Sequence, residues 1–167
     1  MRARITVIGL LLCLGAAVPP GRAATDPGAG AAFDRLKTLV GEWRNDDGTE
    51  TVTYELIAGG SALLERDTAA DRPAMVTLYH RDGDRLVLTH YCMAGNQPRM
   101  VARPFDPAGA ELAFDFLDAT NLPQPGAGHM HSAKIRFVDA NQIESEWQFL
   151  DGGKVTMTER TRYTRVR

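Results

Sequence analysis

Two pairs of side chains that could bind a metal ion or transfer protons occur at alternate positions of predicted strands. His129 and His131 are separated by one residue, which places both imidazoles on the same face of a strand, about 7 Å apart. His90 and Cys92 form a second pair with the same spacing. Zinc accepts three or four such ligands, but histidine pairs on strands also serve as hydrogen-bonding residues of a core or rim. The sequence has no C-x-x-C or H-E-x-x-H signature, so both hypotheses stay open.

Cys92 and Glu159 are the candidates for catalytic chemistry. A Cys92 thiolate beside His90 or His131 would be a nucleophile, whereas a buried thiol would behave as a small, inert apolar group. Glu159 beside a histidine would be a general base, or it would accept a structural hydrogen bond from a turn or from Arg99. The sequence lacks a G-x-S-x-G elbow and a phosphate-binding loop, so these patterns favour binding over catalysis.

Asn96 and Arg99 lie in a polar turn that follows a dense apolar strand. Their side-chain donors are suited to the polar or anionic head group of a ligand. The alternative is turn chemistry, because Gly95 and Asn96 accept left-handed backbone angles and Arg99 would then be solvated. Both interpretations stay open for these residues.

Alternation along the strands predicts which candidates face the interior. His90 and Cys92 share a face with Leu86 and Leu88, His129 and His131 with Ala133, Ile135 and Phe137, and Glu159 with Val155, Met157 and Tyr163. Buried polar groups need partners, so such a cluster requires a hydrogen-bond network, a ligand or a metal. We predict an interior cavity whose lining includes His90, Phe114, His131 and Trp147.

The elements that must position these side chains are short strands. Residues 33–40 place apolar side chains at helical spacing and end at Gly41, which predicts one short amphipathic helix. From Trp43 onwards, apolar and polar residues alternate with period two between turn signals such as Arg81-Asp82-Gly83-Asp84. The sequence therefore predicts a mainly β fold, an up-and-down antiparallel β-barrel with one short N-terminal helix.

Two stretches of the chain resemble a known family. Leu39-Val40-Gly41-Glu42-Trp43, at the exit of the predicted helix, resembles the G-x-W entry of lipocalin-like (calycin) barrels. The stretch THYCMAGNQPRM at 89–100 is similar to uncharacterised bacterial exported proteins with a lipocalin-like domain. The resemblance implies a calycin-like barrel in which Trp43 packs across the closed end. It implies no established reaction.

The N-terminal residues are typical of an export signal rather than of the fold. Residues 1–23 combine a basic head, an apolar run and small residues before Ala24, which predicts a secretory signal peptide and a secreted or periplasmic protein. Residues 24–32 are predicted to be a flexible leader and residues 33–167 a single barrel domain. We expect no stable membrane insertion after cleavage, since no second apolar run follows.

Charge and cysteine content narrow the classes of partner. The net charge of the chain is −2, and loss of the three arginines in residues 1–23 would make it −5, which argues against a nucleic-acid partner. Cys92 would then be the only cysteine, so the core and not an intrachain disulfide must stabilise the domain.

Three functional hypotheses follow from these patterns. The first is an exported barrel that binds a small apolar or amphipathic molecule of unknown identity. The second is a metal- or haem-dependent protein or enzyme that uses an interior cluster of His90, Cys92, His129, His131 and Glu159. The third is a structural or interaction domain, which would expose an apolar patch around Val87, Tyr91, Met93 and Val101. The sequence identifies neither a cofactor nor a ligand.

Overall fold

A computed structural model describes residues 27–166 of the chain. Within these residues one short helix, α1 (Pro27–Lys37), precedes ten strands. The strands are β1 (Gly41–Asn45), β2 (Glu50–Ile57), β3 (Ala62–Ala69), β4 (Met75–Asp82), β5 (Arg85–Tyr91), β6 (Gln97–Ala102), β7 (Glu111–Thr120), β8 (His129–Phe137), β9 (Gln142–Asp151) and β10 (Lys154–Arg165). The predicted signal peptide and residues 24–26 of the predicted leader lie outside the described residues.

The strands form a closed antiparallel barrel of up-and-down topology. Each strand pairs with its neighbours along the chain, and β1 pairs with β10 to complete the ring. At this closing pair Trp43 lies opposite Arg165. The barrel is lipocalin- or calycin-like, so the predicted fold class is confirmed. Closure leaves none of these ten strands with an unpaired edge.

Helix α1 covers one end of the barrel, which we call the closed end. The helix packs against β4 and β5, and its Phe33 and Leu36 side chains are buried in the core. Trp43 is also buried, and its indole N–H donates a hydrogen bond of 2.7 Å to the Leu39 carbonyl at the helix exit. The Arg165 guanidinium lies 4.2 Å from the centre of the Trp43 ring. Trp43 therefore lies at the closed end, as the resemblance implies.

The helix begins earlier than the sequence predicts, at Pro27 instead of Phe33. Proline is favoured in the first turn of a helix because its missing N–H would have no partner there. The small residues that follow are compatible with a helix, and two of them, Ala29 and Ala32, are buried. Residues 27–32 therefore belong to the helix and not to a leader. No helix among residues 27–166 is long and apolar enough to cross a membrane.

The inward-facing residues divide the barrel into two halves. Towards the closed end they are apolar and fully buried, and include Leu36, Leu39, Trp43, Leu86, Leu88 and Phe114. Further along the strands many of them are polar or ionisable, and include Glu50, Glu65, Asp67, His90 and Glu159. We call these regions the closed half and the acidic half. The same barrel thus combines an apolar core with a carboxylate-rich interior.

Two expectations about apolar side chains differ from the structure. Val155 and Met157, predicted to face inwards, are 50% and 43% exposed. The pairing of β10 with β9 shifts register between them, which breaks the alternation for Val155, whereas Met157 keeps the register of the cavity-lining Glu159. In the patch suggested for a protein partner, Tyr91 and Met93 are exposed, whereas Val87 is buried. The structure therefore supports only part of that patch.

Candidate functional site

The interior of the acidic half contains a small cavity of about 30 Å³. That volume holds one or two water-sized groups. Its polar and ionisable lining residues are Glu50, Tyr54, Glu65, Asp67, Tyr79, His90, Ser145, Glu159 and Tyr163. The remaining wall is apolar and consists of Met75, Met130, Ile135 and Trp147. Trp147 and Glu159 are only half-buried, so the cavity approaches solvent on their side.

Four carboxyl groups reach this cavity from three strands. Glu50 comes from β2, Glu65 and Asp67 from β3, and Glu159 from β10. Glu65 and Asp67 occupy alternate positions after the buried Leu63, so the pleat of β3 directs both towards the interior. The strand pairing of a closed barrel brings β10, β1, β2 and β3 together in that order. The acidic cluster is therefore a direct product of the strand order.

Burial changes the protonation of these carboxyl groups. Burial raises the pKa of Glu65 to about 7, although hydrogen bonds from Tyr79 and Tyr54 act in the opposite direction. Burial and the neighbouring Glu50 charge raise the pKa of Asp67 to about 6. The same two causes raise the pKa of Glu159. These groups are removed from water and repel one another when charged. An added positive charge would therefore stabilise the carboxylate form of each group.

Tyrosine hydroxyls and one arginine hold the carboxylates in place. Tyr79 donates a hydrogen bond of 2.6 Å to Glu65 Oε2, and Tyr163 donates one to Glu50 Oε1. Arg72, from the loop between β3 and β4, lies 2.7 Å from Asp67 Oδ2 and 3.4 Å from Glu50 Oε1. Among residues 28–166, Arg72 is the only cationic side chain that forms an ion pair with any of the four. The cluster is therefore short of positive charge.

Of the three histidine candidates, His90 lines this cavity. It is 4% exposed, its Nδ1 lies 3.0 Å from the Thr77 hydroxyl, and its ring centre lies 4.9 Å from that of Trp147. Burial, and to a smaller extent the charge of Arg72, lower its pKa to about 4. The imidazole is therefore neutral near pH 7, with one nitrogen that donates and one that accepts.

Unpartnered polar atoms are concentrated around this cavity. In residues 28–166, five buried side-chain nitrogen or oxygen atoms have no hydrogen-bond partner. Three of the five belong to the cluster: His90 Nε2, Asp67 Oδ1 and Arg72 Nη1. A buried polar atom without a partner costs about 1–3 kcal/mol. The free atoms therefore favour the entry of a molecule that can pair with them.

His129 and His131 form a separate cluster. His129 Nε2 lies 3.1 Å from His131 Nδ1, and both rings pack against Phe116. His129 Nδ1 lies 2.7 Å from the Ala127 carbonyl. The pairing of β8 with β9 shifts register between Met130 and Ser132, and Met130 takes the place in the cavity wall that was predicted for His131. Among the side chains of residues 28–166, no group of three or more potential ligands is arranged to hold a metal ion.

The other four predicted site residues lie outside the cavity lining. Cys92 is half-buried beside the core, and its Sγ lies 3.5 Å from the Ala94 amide nitrogen. Asn96 is buried and donates a hydrogen bond of 2.8 Å to the Gly128 carbonyl. Arg99 pairs with Asp118 on the surface, and Phe114 is packed in the closed half near Tyr79. Of the nine predicted site residues, the cavity thus brings together His90, Trp147 and Glu159.

Asn96 connects two loops of the barrel. The Cys92 amide donates to the Asn96 carbonyl at 3.1 Å, which closes the turn between β5 and β6. The Asn96 side chain then ties this turn to Gly128, just before β8. A Cβ at Gly128 would lie 2.6 Å from the Phe149 ring, so a larger residue here would have to displace that ring. The Asn96 side chain therefore connects the turn between β5 and β6 to the segment that precedes β8.

Sequence reasoning missed Glu50, Glu65, Asp67 and Arg72. The sequence did contain a signal for the first three, because Glu50 shares one face of β2 with the buried Val52 and Tyr54. Glu65 and Asp67 likewise share one face of β3 with the buried Leu63. The contact of Arg72 depends on the path of a loop, and alternation carries no information about that path.

Comparison with known proteins relates the fold of this chain to solved structures of low sequence identity. No family model matches the chain, and no curated protein matches it. A protein of unknown function from the DUF3598 family of Nostoc punctiforme is 14% identical with a TM-score of 0.54, over 78% of this chain and 49% of that one. This chain thus spans about half the length of the Nostoc protein. Rv2717c from M. tuberculosis is 17% identical with a TM-score of 0.54, over 81% of this chain and 98% of its own. At these identities the likeness concerns the fold, a closed β-barrel.

Proposed function

We propose that this protein is an exported barrel that binds a small amphipathic molecule, with the polar head of that molecule in the cavity of the acidic half. The observation that supports it most is the unpartnered His90 Nε2, buried in a cavity that also holds the unpartnered Asp67 Oδ1. A purely structural polar core would be expected to pair these atoms. Binding sites place a few convergent polar groups within an otherwise apolar wall.

The size of the cavity limits the part of the ligand that enters it. Cavities that enclose whole drug-sized molecules measure about 300–1,000 Å³, whereas this one measures about 30 Å³. A head group of one or two heavy atoms fits. The apolar remainder would lie against Trp147, or would displace Met75 and Met130, which are unbranched side chains that repack readily.

Native mass spectrometry of the protein purified from its own host tests the binding proposal. We expect the wild type to retain a small molecule, seen as an added mass that disappears on denaturation. His90→Leu should keep the fold, by circular dichroism, and lose that mass. His80→Leu is the matched control, since His80 follows the inward-facing Tyr79 on β4 and lies outside the cavity lining. Equal retention by a folded His90→Leu protein would contradict the proposal.

Export is tested by N-terminal sequencing of the protein recovered from the periplasm or medium. Cleavage after Ala23 would give Ala24 as the first residue. Recovery of the chain with residues 1–23 still attached would contradict export through a cleaved signal.

A further inference from the structure

We propose that the head group recognised by the acidic half is the ammonium group of an alkylamine. This inference rests on the proposed function, and it adds the chemical class of the ligand. It follows from the charge of the cavity, from its free hydrogen-bonding atoms and from its size.

The charge balance of the cavity favours a cation. Four carboxyl groups line it, and Arg72 pairs with two of them, Asp67 and Glu50. Glu159 forms no hydrogen bond or ion pair with any side chain in residues 28–166, yet it is half-buried beside the cluster. A positive group next to Glu159 would gain an attraction that partial burial strengthens. An anionic head group would meet net repulsion there.

Two of the three free atoms of the cluster match the donors of an ammonium group, whereas the third, Arg72 Nη1, is itself a donor. An ammonium nitrogen carries three N–H donors. Asp67 Oδ1 and the Glu159 carboxylate are acceptors. His90 Nε2 becomes a third when Nδ1–H donates to the Thr77 hydroxyl, 3.0 Å away. An ammonium group is about the size of a water molecule, so it fits a cavity of about 30 Å³.

The apolar wall favours an organic cation over a metal ion. Met75, Met130 and Trp147 line the same cavity as the carboxylates and suit the first methylene groups of an alkyl chain. By contrast, no group of three or more ligands in residues 28–166 is arranged to hold a metal ion. The site therefore combines charge recognition with apolar contact.

Isothermal titration calorimetry at pH 8 with four probes tests this inference: n-butylammonium chloride, 1-butanol, sodium butyrate and potassium chloride. The three organic probes each contain four carbon atoms in an unbranched chain and differ in head-group charge. We expect butylammonium to bind at least tenfold more tightly than butanol or butyrate, and potassium not to displace it. Glu159→Gln should weaken butylammonium at least tenfold. Glu55→Gln, the same change at an exposed position of β2, should leave its affinity unchanged.

Several outcomes would overturn the inference. Butanol or butyrate binding as tightly as butylammonium would show that charge is not recognised, and displacement by potassium would show that any cation suffices. Absence of butylammonium binding to the wild type would also overturn it, whether or not Glu159→Gln folds. If native mass spectrometry still detects a retained neutral or anionic molecule, the proposed function survives and only the amine assignment fails.

Discussion

The closed half and the acidic half of the barrel use the same strands for different purposes. In the closed half, Trp43 is buried against the helix exit and its single donor is paired with Leu39. In the acidic half, Trp147 is half-buried and packs on His90, whose Nε2 has no partner. The closed half therefore pairs the donor of its buried tryptophan, although Arg35 Nε on α1 has no partner, and the acidic half leaves three polar atoms free.

This difference separates stability from the proposed binding role. Apolar burial supplies most of the favourable free energy of folding, and the closed half provides it with fully buried side chains such as Leu36 and Leu88. Buried carboxyl groups such as Glu65 lower stability when they are charged, and so do unpartnered atoms. We infer that the closed half offsets the unfavourable interactions that keep the acidic half ready for a ligand.

The largest expected difference in the free energy of unfolding is between alanine variants of the two tryptophans. Trp43→Ala would remove a fully buried ring and its hydrogen bond, and should lower the free energy of unfolding by about 3–5 kcal/mol. Trp147→Ala removes a half-buried ring and should cost less than half as much. Urea denaturation monitored by circular dichroism measures both. An equal or larger loss in Trp147→Ala would contradict the division of the barrel into a stabilising half and a binding half.

The pH dependence of stability should change in opposite directions in two variants. The pKa of Glu65 is raised to about 7 from 4.5, so the folded state binds more protons between these values and wild-type stability falls as pH rises. The pKa of His90 is lowered to about 4 from 6.5, so there the unfolded state binds more protons and stability rises with pH.

Removing each group isolates its contribution. As pH rises from 4.5 to 7, the free energy of unfolding of Glu65→Gln should increase by roughly 3 kcal/mol relative to that of the wild type. That of His90→Leu should decrease by a similar amount, relative to the wild type, as pH rises from 4 to 6.5. Denaturant midpoints across this range measure both differences. Glu55→Gln and His80→Leu are the matched controls, because both positions lie outside the cavity lining. Parallel changes in the two test variants would show that these pKa shifts are absent.

At pH 7 the replacement of His90 should have a small effect on stability. His90→Leu removes the unpartnered Nε2 and keeps much of the side-chain volume, although it also leaves the Thr77 hydroxyl without its imidazole partner. We expect the free energy of unfolding to stay within about 1.5 kcal/mol of the wild type or to rise. A loss of more than about 3 kcal/mol would mean that His90 stabilises the fold.

The smallest expected effect belongs to the surface pair of Arg99 and Asp118. Arg99 is exposed, and water reaches its ion pair with Asp118. Arg99→Ala should therefore leave both the urea midpoint and butylammonium affinity unchanged within error. A clear loss of butylammonium affinity would place Arg99 in the site, as the sequence first suggested.

The fold was more predictable from sequence than the site. Period-two alternation and the G-x-W segment predicted the barrel and the place of Trp43, because both depend on local pattern. The same alternation predicted the interior positions of His90 and Glu159. It gave the wrong face at His131 and Val155, where register shifts change which residue faces inwards. A β-bulge depends on the pairing of two strands, so one strand read alone does not reveal it.

Methyl NMR of the methionines tests most directly whether a ligand enters the acidic half. Met75 and Met130 line the cavity, Met100 is buried in the core outside its lining, and Met157 is exposed. On titration with n-butylammonium chloride, we expect the methyl signals of Met75 and Met130 to shift with one common saturation curve. Those of Met100 and Met157 should stay in place. Shifts confined to Met157, or shared by Met100 while Met75 and Met130 stay unchanged, would contradict binding in the acidic half.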